Sequence, residues 1–145
     1  MISKIIGVKI SPLKIIESPN GNVFHVMKNT DKEYISFGEA YFSSTNPNSI
    51  KGWKRHKIMQ LNIIVNVGSI RFVIYDDRKN SHTLGCFQEE VLSLENYCRL
   101  TIPPMVWFAF QGTAKTKSIL LNIASIPHNT KEVETQPLEK FNFHW

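Results

Sequence analysis

The run Lys51-Gly52-Trp53-Lys54-Arg55-His56-Lys57, followed by Gln60 and Asn62, gathers groups able to move a proton and to hold an anion. Imidazole is the side chain whose unperturbed pKa best suits proton transfer near neutrality, so His56 is the candidate shuttle. Lys54, two residues away, and Lys51 suit an anion such as a phosphate, although an ammonium lacks the bidentate fork of a guanidinium. Met59, Leu61, Ile63 and Val65 stand at every second position. Period-two alternation puts these four on one strand face and Lys54, His56, Gln60 and Asn62 on the other, with Ile58 as an apolar break. Such a polar face either meets water or lines the wet end of a small barrel, and spacing alone leaves both open.

The surrounding sequence reads as short strands throughout. "IIGVKI", "VFHVM", "EYISFGEAYFS", "SIRFVIYD", "CFQEEVLSL", "CRLTI", "VWFAFQ" and "SILLNIAS" are rich in Val, Ile, Phe and Tyr. Gly, Pro, Asn and Asp separate them. No long helical period appears, and "PLEKF" allows at most a turn or two. This spacing over 145 residues predicts an all-β sandwich or barrel in one domain spanning 1–145, and a double-sheet jelly roll fits that length. The tail after Ile126 reads as a flap, a short helix or an arm that clasps a second copy.

Composition narrows the function. Net charge is +5, with the only dense basic cluster at Lys51, Lys54, Arg55 and Lys57 and no nucleic-acid motif around it. A phosphate-bearing small molecule fits better than DNA. Cys86 and Cys98 match no CxxC pattern, and Lys4, Lys9 and Lys14 interrupt the N-terminal apolar residues. A soluble chain in a reducing cytoplasm, without a membrane span, is expected. No metal or other cofactor is expected. Neither a GxSxG elbow nor a glycine-rich phosphate loop occurs.

From Glu39 to Phe110 the sequence resembles the dTDP-4-dehydrorhamnose 3,5-epimerase family of cupins. Asp76, Arg78, Ser81, Thr83 and Gly85 fill its Asp-x-Arg and Ser-Pro-Thr-x-Gly pattern, with His82 replacing Pro. Leu92, Ser93, Glu95, Asn96 and Ile102 to Pro104 continue it, with Met105 replacing Gly. "KGWKRHK" with Gln60 also looks like the His-Ala-His-Lys strand of the sugar 3,4-ketoisomerases. The resemblance implies a cupin double-stranded β-helix (jelly roll), a homodimer, and a nucleotide-linked 4-keto-6-deoxyhexose used in lipopolysaccharide or O-antigen synthesis. The reaction would move a proton next to a ketone.

The chain departs from the family's pattern at several positions. Lys54 stands where the epimerase base His is expected, Phe108 where a later His is, and Ile126 near the expected proton-donating Tyr. The upstream nucleotide-clasping Arg and Glu become Asn20 and His25, while Glu39 and Tyr41 replace a Gln and an Asn. His56 and Lys54 are therefore the catalytic candidates. Lys51, Gln60, Asn62, Glu39, Tyr41, Tyr75, Arg78 and Trp107 are the candidate substrate contacts. Either tyrosine would supply the missing proton or stack on a base, and Trp107 would wall the pocket. Asp76, Asp77 and Arg78 read as an acid cluster or a structural corner. The alternative is a catalytically silent cupin that binds a sugar nucleotide or a partner enzyme.

Overall fold

The computed structural model describes residues 4–145, so the first three residues of the expected domain lie outside it. The strands are β1 (Lys9–Pro12), β2 (Ile15–Ile16), β3 (Val23–Phe24), β4 (Glu39–Thr45), β5 (Ile50–His56) and β6 (Leu61–Val67). They continue as β7 (Ser69–Tyr75), β8 (Phe87–Ser93), β9 (Cys98–Ile102), β10 (Trp107–Gly112), β11 (Ser118–Ala124) and β12 (Val133–Thr135). One sheet runs β12-β5-β10-β7-β8, a second runs β1-β9-β6-β11-β4, and β2 pairs with β3 as a hairpin. The expected helical turn in "PLEKF" is a single 3-10 turn at Leu138–Lys140. No helix among the described residues is long and apolar enough to cross a membrane.

Alternation places the core. In β7, Ile70, Phe72 and Ile74 point between the sheets, where they meet Leu61, Ile63 and Val65 of β6 and Leu100 and Ile102 of β9. The other face of β7 and its neighbours is apolar too. Trp53, Val73, Trp107 and Ala109 are buried there under Leu138, Phe141, Phe143 and Trp145 of the C-terminal segment. Phe141 lies 4.4 Å from Tyr75 and 5.3 Å from Trp53, ring centre to ring centre, and the Trp53 indole N–H donates to the Leu138 carbonyl at 3.1 Å. With both faces covered, β10 has no reason to alternate, which explains the unbroken "VWFAF". The tail is thus a strap fastened through β12 to β5.

The single polar face expected from Lys54 to Asn62 does not exist. The chain leaves one sheet at His56 and enters the other at Leu61, so Lys57 to Gln60 is a crossing and alternation restarts beyond it. Lys54 and His56 point inward from β5. Leu61 and Ile63 point inward from β6, which sends Gln60 and Asn62 to the outside.

Candidate active site

Along the β4 edge of one sheet and the β12–β5 edge of the other, the sandwich opens into a cavity of about 510 Å³. Its floor is apolar, built from Leu61, Ile63, Phe108, Phe110 and Leu120. Its walls are polar and come from different sheets.

Strand β5 forms one wall with Lys51, Lys54 and His56. Residues three apart normally face opposite ways in a strand, so Lys51 and Lys54 should not share a wall. The register resolves this: Phe108 lies opposite Lys54 and Phe110 opposite Lys51, which gives β5 one extra residue, a β-bulge. Gly52 sits in the bulge at φ +144°, where an added Cβ would stand 2.4 Å from the Ala109 Cβ. No larger residue fits there without moving the backbone. The bulge turns Trp53 out under the strap and keeps both lysines inside. Lys51 Nζ donates to the Ser44 carbonyl at 2.7 Å and to Ser43 Oγ at 3.3 Å, which holds its ammonium at one end of the cavity.

His56 is only 7% exposed. Its Nδ1 lies 2.5 Å from Oε1 of Glu132, itself 3% exposed. The other carboxylate oxygen, Oε2, accepts the backbone N–H groups of Ile58 and Met59, each at 3.2 Å. The strap delivers Glu132: the Lys57 N–H donates to its carbonyl at 2.8 Å and the next residue, Val133, pairs with His56 in β12. Burial by itself would raise the Glu132 carboxyl. The hydrogen bonds from His56 and the two amides outweigh burial and hold the group below the usual carboxylate range. A carboxylate only accepts, so Nδ1 carries a proton, and in the neutral imidazole the lone pair is then on Nε2. The ring also lies nearly parallel to Phe108, which keeps its orientation fixed.

Strand β4 supplies the facing wall through Glu39, Tyr41 and Ser43, and the Tyr41 hydroxyl accepts a hydrogen bond from Asn122 at 3.1 Å. His128, on the way to the strap, lines the cavity as well.

Five of the candidate residues therefore line one cavity: His56, Lys54, Lys51, Glu39 and Tyr41. Five others do not. Gln60 Nε2 donates to the Glu33 carbonyl at 2.6 Å, and buried Asn62 accepts from the Thr101 hydroxyl at 2.7 Å and also reaches that carbonyl. Both secure the loop around Glu33, together with buried Arg99, which pairs with Asp31 and Glu33. Tyr75 and Trp107 belong to the aromatic layer under the strap, where Trp107 donates to Asp77 and stacks under Arg55. Arg78 is held by Asp76 and the Ile6 carbonyl, away from the cavity. For Gln60 and Asn62 the reason is that alternation does not carry across the β5–β6 crossing; for Tyr75 and Trp107 it is that a strand aromatic does not reveal which face is free. Sequence reasoning missed Glu132, Asn122 and His128. Glu132 lies in a tail of weak patterning, and Asn122 reads as one polar break in an apolar strand.

No family model matches the chain. A solved dTDP sugar isomerase from Desulfovibrio desulfuricans is 36% identical, superposes with a TM-score of 0.94, and is matched over 97% of this chain and 92% of that one. A dTDP-4-dehydrorhamnose 3,5-epimerase from Bacillus anthracis, crystallised with TDP and pyrophosphate, superposes with a TM-score of 0.86 at 19% identity, over 98% of this chain and 89% of its own. A probable low-salt glycan biosynthesis epimerase of Haloferax volcanii is 28% identical over 94% of this chain and 86% of its own length. The expected cupin jelly roll is the fold of these proteins. With 36% identity across nearly the whole of both chains, this protein belongs to the family of that dTDP sugar isomerase, on the fold it shares with the 3,5-epimerase.

Proposed function

We propose that the protein is an isomerase that moves a proton next to the ketone of a nucleotide-linked 4-keto-6-deoxyhexose of the dTDP type, in the synthesis of a surface polysaccharide or glycan. The observation that carries this is the buried His56–Glu132 pair opening onto a cavity edged by two lysines. His56 Nε2 would take the acidic C–H proton, the C–H electron pair would become the C=C of an enolate, and charge would collect on the former ketone oxygen. A nearby ammonium would stabilise that oxygen more in the transition state than in the ground state, and the position of Lys54 on the same wall supports that role. Lys51 would hold the diphosphate.

On this reading the base lies two residues further along the strand than the family pattern expects, with Lys54 at the usual position. The relatives support the substrate class, one being a dTDP sugar isomerase and another a probable glycan biosynthesis epimerase. The reading is tested by incubating the protein in deuterated water with a panel of dTDP- and GDP-linked 4-keto sugars. Deuterium should enter the carbon beside the ketone of at least one. A panel that binds yet exchanges nothing would leave the silent-cupin alternative standing.

We further propose that it works as a homodimer in the cytoplasm, where Cys86 and Cys98 would remain free thiols. An apolar groove on the outer face of β4, β11 and β6, lined by Phe24, Phe42, Ile64, Val67 and Tyr97, supports pairing with a second copy. Phe42 is 76% exposed there. Phe42→Asp is expected to halve the mass seen by light scattering, and an unchanged dimer would place the interface elsewhere.

A further inference from the structure

A buried pair such as His56 and Glu132 works only while both main chains stay in place. His56 stands on β5, inside the sheet, but Glu132 hangs from the strap just before β12. That strand is three residues long and lies at the edge of its sheet. It pairs with β5, Val133 opposite His56, Glu134 opposite Arg55 and Thr135 opposite Lys54. A short edge strand has few ladder hydrogen bonds and opens at low cost unless side chains hold it.

Arg55 supplies that hold. Alternation along β5 sends Lys54 and His56 into the cavity and Arg55 to the opposite face. There its guanidinium lies over Trp107, 4.6 Å from the ring centre. Nε donates to Glu134 Oε2 at 2.6 Å and Nη2 lies as close to the same oxygen, while Nη1 donates to Asp77 Oδ1 at 2.9 Å. Asp77 is fixed in turn, because its other oxygen accepts the Trp107 indole N–H at 2.9 Å. Asp77 follows the end of β7, and β10 separates β7 from β5 in the sheet. The guanidinium therefore ties the edge strand, across β10, to the end of β7. A planar fork can serve two carboxylates and stack on a ring at once, which an ammonium cannot. Arg55, Asp77, Glu134 and Trp107 all lie outside the cavity lining.

We infer that Arg55 is a positioning residue: by clamping β12 to β5 on the outer face of the sheet, it keeps Glu132 within hydrogen-bond reach of His56 Nδ1 on the inner face. This inference rests on the proposed function above, in which His56 is the base. The amides of Ile58 and Met59 orient the Glu132 carboxylate, and the clamp holds the main chain that carries it. Glu134 is two residues from Glu132, so a loosened Glu134 passes its motion on directly. The clamp also steadies Val133 and Thr135, which line the cavity from β12.

Arg55→Met keeps an apolar cover over Trp107 but cuts both ion pairs. Asp77 and Glu134 are partly exposed and stay hydrated without a partner, so the variant should fold with only a small loss in Tm. Nitrogen NMR of the ligand-free protein, at a pH where the ring is neutral, should place the His56 proton on Nδ1 in the wild type. In Arg55→Met it should show a mixture of the two tautomers. Below the variant's Tm, kcat for the responsive 4-keto sugar should fall by roughly 10–10²-fold, the loss that a shift of about 1 Å in a catalytic group brings. KM should stay within a few-fold. Arg55→Lys, which reaches one carboxylate at a time, should recover part of both signals. Glu134→Gln keeps the bond to Asp77 and the stack on Trp107; it should move the tautomer the same way, and it carries the test if Arg55→Met does not fold. A lowered Tm with the wild-type tautomer and wild-type kcat would make Arg55 merely structural and overturn the inference. No exchange by the wild type on any 4-keto sugar would overturn the functional reading, and the catalytic meaning of the clamp with it, an outcome distinct from an unmoved tautomer.

Discussion

Glu132→Gln is expected to lower turnover by roughly 10²–10⁴-fold while dTDP binding survives, about the loss that follows when a catalytic imidazole is held in the wrong tautomer or loses its role as base. The change is nearly isosteric, so volume does not explain it. One carboxylate oxygen accepts two backbone N–H groups, from Ile58 and Met59, and the other meets His56 Nδ1. A glutamine must keep its carbonyl oxygen toward the two amides, because its NH₂ would meet them donor to donor. The NH₂ then points at Nδ1, which has to become the acceptor. The imidazole proton moves to Nε2, the atom that must be free to take a proton from the substrate. Nitrogen NMR of His56 would read the tautomer directly, and wild-type turnover with the proton on Nε2 would remove the pair from the mechanism. His56→Asn should lose at least as much activity. The same carboxylate also links stability to pH. Its folded pKa lies below the ordinary 4.5, so its contribution is complete above that value and is lost as the pH falls through the lowered one.

How much of this was legible in the sequence follows from which interactions are local. Strand composition and punctuation are local, and they located the β elements and the jelly roll. His56, Lys54 and Lys51 were legible because their residue types are uncommon together on a strand. Their common wall depends on the bulge at Gly52, which is a relation between β5 and β10 and leaves only a glycine in the sequence. Gln60 and Asn62 were misread for a similar reason: period-two reasoning holds within one strand, and the crossing at Lys57 to Gln60 resets it. Glu132 was invisible because it is 76 residues from His56 and arrives through the packing of the strap. That packing is carried by aromatic side chains that also drew Tyr75 and Trp107 away from the cavity.

Asp76→Ala is expected to be strongly destabilising, at about 3 kcal/mol, the low end of what removing one partner of a buried ion pair costs. For a chain of this length that is roughly 10 °C in Tm. Asp76 is 0% exposed at the corner between β7 and β8. It accepts from the Arg78 backbone N–H at 3.0 Å, from the Arg78 guanidinium at 2.8 and 2.9 Å, and from the hydroxyls of Ser81 and Thr83, each at 2.6 Å. Arg78 and Thr83 in turn hold the backbone of Ile6, so the corner also ties down the start of the described chain. Alanine would leave all these donors facing a void. Burial alone would raise the Asp76 carboxyl, but the bonds from Arg78, Ser81 and Thr83 hold it far below its ordinary 3.8. A lowered folded pKa means the stabilisation is whole above 3.8 and is lost as pH falls toward the folded value. Thermal unfolding followed by circular dichroism should therefore show a constant gap between wild type and variant across neutral pH and a narrowing gap below about pH 4, where the unfolded wild-type carboxyl takes up its proton. A gap independent of pH down to strong acid would mean that the corner is held by packing and not by the charge. The corner lies outside the cavity wall, so below its own Tm the variant should exchange substrate deuterium at the wild-type rate, which separates what this ion pair does for the fold from what Glu132 does for the chemistry.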